Sequence, residues 1–203
     1  MIMKPKTVFL IIALAALVVS CIPSLYPLYK PGDLLLNYNL EGIFRSGGED
    51  YWEIEKLDPA WEQKFGDAWK NYQSGYTYKL TVREKNNVQD FAMHLLQLDG
   101  QYFLDFFPVD YDIPNKLLRE QLVPAHIFAK AEINDSYLVL YFFDNDWLKG
   151  LFEKGQIRIS HVELPQERWL LTAKTDELQK FIIKYAHDST AFLEADTLMK
   201  KPV

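Results

Sequence analysis

Few side chains in this 203-residue sequence are of types that do chemistry, and spacing decides what each could do. Cys21 is the one cysteine: a thiol that can act as a nucleophile and can form no internal disulfide. The four histidines, His94, His126, His161 and His187, lie at least 26 residues apart, so none makes a local pair of metal ligands. A zinc site could assemble only through folding. His94 falls between apolar positions of a predicted strand and reads as a half-exposed or hydrogen-bonded sheet residue, as does His126 after Pro124-Ala125. Asp105, Asp110 and Asp112 cluster near Tyr111, which could suit calcium or paired acid and base carboxylates. The glycine and terminal glutamate of an EF-hand loop are absent, so a solvated acidic loop is the plainer account. No Gly-x-Ser-x-Gly elbow, P-loop, Gly-x-Gly-x-x-Gly or His-Glu-x-x-His string occurs. No catalytic residue, metal ligand or cofactor is therefore assigned, and the expectation is a protein that is not an enzyme. The alternative is a hydrolase whose site converges from Asp105, His94 and His126; it fails if these lie more than about 10 Å apart, beyond hydrogen-bond reach.

The thiol of Cys21 gains a specific chemistry from what precedes it. Lys4 and Lys6 lead into an apolar stretch from Val8 to Val19, the layout of a secretion signal. That stretch is too short for a bilayer-spanning helix, which takes roughly 20 residues. Val18-Val19-Ser20-Cys21 resembles the lipobox of bacterial lipoproteins, with a branched apolar residue at minus three, a small one at minus one, and then Cys. The resemblance implies cleavage between Ser20 and Cys21 and transfer of a diacylglyceryl group to the sulfur. Burial of acyl chains at about 0.8 kcal/mol per CH₂ would then hold the protein on a membrane.

Charge and size bound the rest. The chain has 22 Lys and Arg against 28 Asp and Glu, and loss of Lys4 and Lys6 with the leader takes the net charge from −6 to −8. A phosphate-binding surface needs clustered basic residues, so nucleic acid is disfavoured as a partner. The remaining chain suits one domain, and 49% hydrophobic residues with 15% aromatics supply a sizeable core.

The elements that must position these residues are mostly strands. Alternation of apolar and polar residues predicts strands over 51–56 and, most clearly, over Tyr76, Tyr78, Leu80 and Val82. Residues 91–98 and 101–107 flank Asp99-Gly100, a strong hairpin signal. A second hairpin is predicted from 127–133 and 137–143 across Asn134-Asp135, with further strands over 156–162 and 168–171. Helices are predicted after Asp58-Pro59, after Asp144 with Gly155 as a stop, and after Thr175 as a cap, with Asp176 and Glu177 near its positive end. Trp61, Phe65, Trp69 and Tyr72 form one stripe of the first helix. Trp61, Phe65, Trp69, Tyr76 and Tyr78 are ligand-binding candidates, although packing accounts for such residues more simply. The fold class is mainly β: an antiparallel barrel or sandwich with two or three peripheral helices. The organisation is a signal over 1–20, a lipidated tether over 21–35, one β domain over 36–190 and a tail over 191–203.

Gly42 and Phe44, Tyr51-Trp52-Glu53, Phe103-Leu104-Asp105 and Trp147-Leu148 give the region a loose resemblance to small envelope lipoproteins of Bacteroidetes-type bacteria, whose function is uncharacterised. Some of their domains are similar to lipocalin-like barrels. The Gly-x-Trp of lipocalins would fall at Gly42-Ile43-Phe44, with Phe in place of Trp. The anchor, the aromatic-rich alternating strands and the absence of a reactive constellation lead to the expectation of a binding or assembly module of the envelope, with an apolar small molecule or an envelope protein as partner. Ile22 is not the aspartate tied to inner-membrane retention in some bacteria, and no acidic run follows Cys21. The expected location is therefore the outer membrane, on its periplasmic face.

Overall fold

The computed structural model describes residues 21–45, 50–57, 75–84, 87–109, 113, 115–165 and 167–202. The chain forms a closed antiparallel barrel, which resolves the barrel-or-sandwich choice. Its strands are β2 (Gly42–Arg45), β3 (Tyr51–Lys56), β4 (Thr77–Glu84), β5 (Asn87–Leu98), β6 (Gln101–Val109), β7 (Ile127–Ile133), β8 (Tyr137–Phe142) and β11 (Asp196–Lys200). Each pairs with the next in that order, β11 pairs with both β8 and β2, and the circle has no open edge. A short strand β1 (Leu34–Leu35) extends the line of β4 by pairing with Leu95 and Leu96 of β5. This up-and-down order is consistent with a lipocalin-like barrel.

The strongest local signals produce the tightest turns. Asp99 and Gly100 both have positive φ, 48° and 76°, as a two-residue hairpin turn matched to strand twist requires. The register it sets places Leu98 opposite Gln101 and carries through to Asp90 opposite Val109. Gly42, with φ of 133°, opens β2, and a Cβ there would stand 2.8 Å from Lys200 Cε. The Lys200 ammonium lies 5.5 Å from the centre of the buried Phe44 ring, so a cation caps that ring.

Between β8 and β11 the chain leaves the barrel and returns. That excursion holds α2 (Asn145–Glu153), the ribbon of β9 (His161–Leu164) with β10 (Arg168–Leu171), and α3 (Thr175–Tyr185); α1 (Lys116–Arg119) lies between β6 and β7. Asp144 caps α2 by accepting from the Asp146 N–H, and Gly155 at φ 62° follows its end, both as expected. Thr175 does not cap α3: Lys174 holds the cap position, and the Thr175 hydroxyl donates instead to the carbonyl of Pro27. Of the strand expected over 156–162, only the last two residues, His161 and Val162, belong to a paired strand.

Two cores result. Inside the barrel, Phe44, Ile54, Tyr78, Leu80, Met93, Leu95, Leu104, Phe106, Leu138, Leu140 and Leu198 pack on one another, with Leu40 among them. Outside it, Leu96, Leu98, Phe103 and Phe128 pack against Ile22, Leu28, Phe143, Leu148, Trp169, Leu178, Phe181 and Ile182. The middle of β5, from Ala92 to Leu96, and of β6, from Phe103 to Phe106, is thus dry on both faces.

Two sequence expectations are corrected here. The segment expected as a tether over 21–35 is laid on the barrel wall: Ile22 and Leu28 are buried, and Ser24 exchanges backbone hydrogen bonds with His126. Its prolines suppress periodicity without freeing the chain, because neighbouring backbone satisfies the polar groups. The tail expected over 191–203 contains β11, which closes the barrel; one buried side chain, Leu198, gave too short a pattern to read as a strand.

Candidate functional site

Register brings the chemistry-bearing residues together. His94 on β5 stands opposite Thr77 on β4 and opposite Asp105 on β6, all on the outer wall. His126 immediately precedes β7, whose Phe128 stands opposite Asp105. Thr77 Oγ1 and His94 Nε2 share a hydrogen bond of 2.9 Å, and His126 Nδ1 lies 2.7 Å from Asp105 Oδ1. The other carboxylate oxygen of Asp105 accepts from the Leu28 N–H at 2.8 Å. Rings close over the group: Tyr29 lies 4.3 Å from the His94 ring centre and Phe107 lies 4.5 Å from that of His126.

Burial sets the electrostatics. Thr77, His94 and Asp105 are 0% exposed and His126 is 7% exposed. Desolvation pushes the His94 pKa down to about 4; the Asp105 charge opposes this and His126 reinforces it. His94 is therefore neutral near pH 7. Hydroxyl, imidazole and carboxylate are the ingredients of nucleophilic catalysis, and the expected convergence of Asp105, His94 and His126 occurs. Both Asp105 oxygens, however, are engaged with protein donors, and residues 22–29 lie over the group.

The same contacts hold the N-terminal segment. Ser24 N–H donates to the His126 carbonyl and His126 N–H to that of Ser24, each at 2.8 Å. Leu25 and Leu171 N–H groups donate to the carbonyls of Leu171 and Pro23, at 2.8 and 2.9 Å. Gln179 on α3 donates to the Leu28 carbonyl at 2.9 Å. From Ser24 beside the start of β7 to Leu34 beside the end of β5, the segment runs down the wall from one rim to the other. Cys21 lies three residues before Ser24, whose antiparallel partner His126 immediately precedes β7. Burial first, and then the charge of Asp196 at the start of β11, push its thiol up to about 11. An unmodified Cys21 in the folded chain is a protonated, poorly nucleophilic thiol.

The remaining candidates separate. Tyr78 is buried inside the barrel, where its hydroxyl accepts from the Asn37 N–H at 2.7 Å and donates to the Asn37 carbonyl at 3.1 Å. Tyr76 is exposed in the turn before β4. Trp61, Phe65, Trp69 and Tyr72, the leader with Ser20, and Asp110, Tyr111 and Asp112 lie outside the described residues. Among the described residues no three His, Cys, Asp or Glu side chains are grouped to hold a metal ion. Among the described residues, open clefts on the surface include the following two. One, about 240 Å³, runs between residues 156–159 and α3, with Arg158, Lys180 and Lys184 along it. The other, about 380 Å³, is lined by Glu41, Glu53, Glu55 and Lys56 beside β2 and β3. Compared with family models, curated proteins and solved structures, the chain matches none.

Proposed function

We propose that this chain is a lipid-anchored, non-enzymatic binding or assembly module of the bacterial cell envelope, held through Cys21 on the periplasmic face of the outer membrane. The supporting observation is that the lone cysteine is preceded by a lipobox-like string, and the chain from Ile22 onward is fastened to the wall. An acyl group on Cys21 would hold the barrel directly against the bilayer, with no slack between them. Mutual packing of the interior side chains supports an envelope protein as partner over an apolar small molecule. The acidic balance supports neither DNA nor RNA.

The test is Cys21→Ser in the host, followed by metabolic labelling with an alkyne fatty acid and membrane fractionation. The label should be lost and cleavage before residue 21 should stop. Continued processing at the same bond with unchanged lipid labelling would overturn the proposal.

The convergence of Thr77, His94, Asp105 and His126 favours one second reading, an envelope hydrolase. It requires segment 22–29 to lift. A broad ester and amide substrate screen that returned turnover abolished by His94→Gln and Asp105→Asn, with folding retained, would establish it.

A further inference from the structure

The stretch from Gln156 to Ser160 has the form of a strand without a neighbour. It contains no turn, bend or helix, and exposure alternates along it: Gln156, Arg158 and Ser160 are exposed, whereas Ile159 is buried. The stretch is pinned at its ends. The Gln156 N–H donates to the Leu151 carbonyl at 2.9 Å, and the Ser160 carbonyl accepts from the Thr172 and Ala173 N–H groups at 2.8 and 3.1 Å. Between these pins the Ile159 carbonyl accepts from the His161 ring at 2.7 Å. The N–H groups of Ile157, Arg158 and Ile159 and the carbonyls of Ile157 and Arg158 have no hydrogen-bond partner among the described residues. Unpaired backbone of this shape is a template for a second extended chain.

Charge narrows what that chain must be. Residues 156–159 form one wall of the cleft of about 240 Å³, and α3 forms the other. Lys180 and Lys184, four residues apart, share a face of α3, and Arg158 lines the same cleft. Among the described residues none of these three cations has a carboxylate in ion-pair contact, whereas Lys30, Lys79 and Lys149 each have one. Asp176, one turn before Lys180, is paired with Lys30. Glu177, the carboxylate on the cleft, accepts from the Ser160 N–H at 3.3 Å. Like charges one helical turn apart repel, so a chain of net charge −6 carries here a local cationic excess that an acidic ligand would relieve.

We infer that the cleft between residues 157–159 and α3 receives an extended acidic peptide from a protein partner. The peptide backbone pairs with residues 157–159 as an added strand, and its Asp or Glu side chains meet Arg158, Lys180 and Lys184. A lone anion such as phosphate would answer the cations but not the unpaired carbonyls, which need N–H donors. Three residues of strand span about 10 Å, so the contact is short, weak and sensitive to salt. The inference deepens the binding-module reading by giving the chemistry of its partner.

The test titrates the full chain, nitrogen-15-labelled and purified from its host in a zwitterionic detergent, with a capped hexapeptide of alternating glutamate and valine. The amide signals of Ile157, Arg158 and Ile159 should move saturably, and their hydrogen exchange should slow by tenfold or more. Lys180→Glu combined with Lys184→Glu, both exposed positions, should weaken binding tenfold or more and leave distant amide signals in place. No saturable movement overturns the inference, and so does equal binding of the same peptide with lysine in place of glutamate. Equal movement with inorganic phosphate makes the cleft a small-anion site and also overturns it. N-methylation of alternate peptide amides should abolish the slowed exchange; protection that survives unchanged removes the added strand. Intact mass of the same preparation reports acylation of Cys21. A chain without the acyl group that binds the peptide sinks the anchor and keeps the site, and an acylated chain that ignores the peptide does the reverse.

Discussion

Removing the Asp105 carboxylate would leave the His126 Nδ1–H and the Leu28 N–H without their acceptor in a site sealed from water. Asp105→Ala should therefore cost about 2–5 kcal/mol, read as a lowered denaturant midpoint, and amide exchange at Leu28 should accelerate. His94 adds a pH dependence whose sign follows from its lowered proton affinity. The unfolded chain takes up a proton near pH 6.5, while the folded chain resists until about 4. Stability is thus full above about 6.5 and declines as pH falls toward 4, by up to about 3 kcal/mol for a shift of this size. In His94→Gln, unfolding free energy measured across this window should lose that component of the slope. The sequence named Asp105, His94 and His126 as an alternative site from their types alone; how they meet was not legible, because it depends on two cross-strand registers and on a segment that arrives from far up the chain.

At the scale of elements, legibility followed the length and one-sidedness of the pattern. Strands β3, β7 and β10 and the Asp99-Gly100 turn could be read directly, since each couples a period of two or a positive-φ turn to a clear boundary. Strand β11 could not, although it closes the circle. Deleting residues 196–203 should expose the edges of β2 and β8, abolish cooperative unfolding and produce concentration-dependent aggregation by light scattering. Gly42→Ala should destabilise by about 1–3 kcal/mol in thermal unfolding, since its φ of 133° is strained for any side chain and Lys200 must also give way.

The whole molecule is a barrel packed inside and clad on one side. Leu95 and Leu96 are neighbours in β5 that point to opposite faces, and both are fully buried. Leu95→Ala and Leu96→Ala should each cost about 2–5 kcal/mol in chemical denaturation, where a barrel with a wet outer wall would tolerate the second. Cladding is also why His94 read as a half-exposed strand residue: alternation reports one dry face, and β5 has two.

The stitching at Ser24 has a mechanical consequence. Ser24 pairs antiparallel with His126 and parallel with Leu171, and the hydrogen bonds of both pairings run across the chain direction only a few residues from Cys21. A tug on an acylated Cys21 would load these bonds side by side, in shear, so that the first yield requires several to fail together. Tension would then reach the barrel as a pull spread over its wall instead of unravelling it from the end.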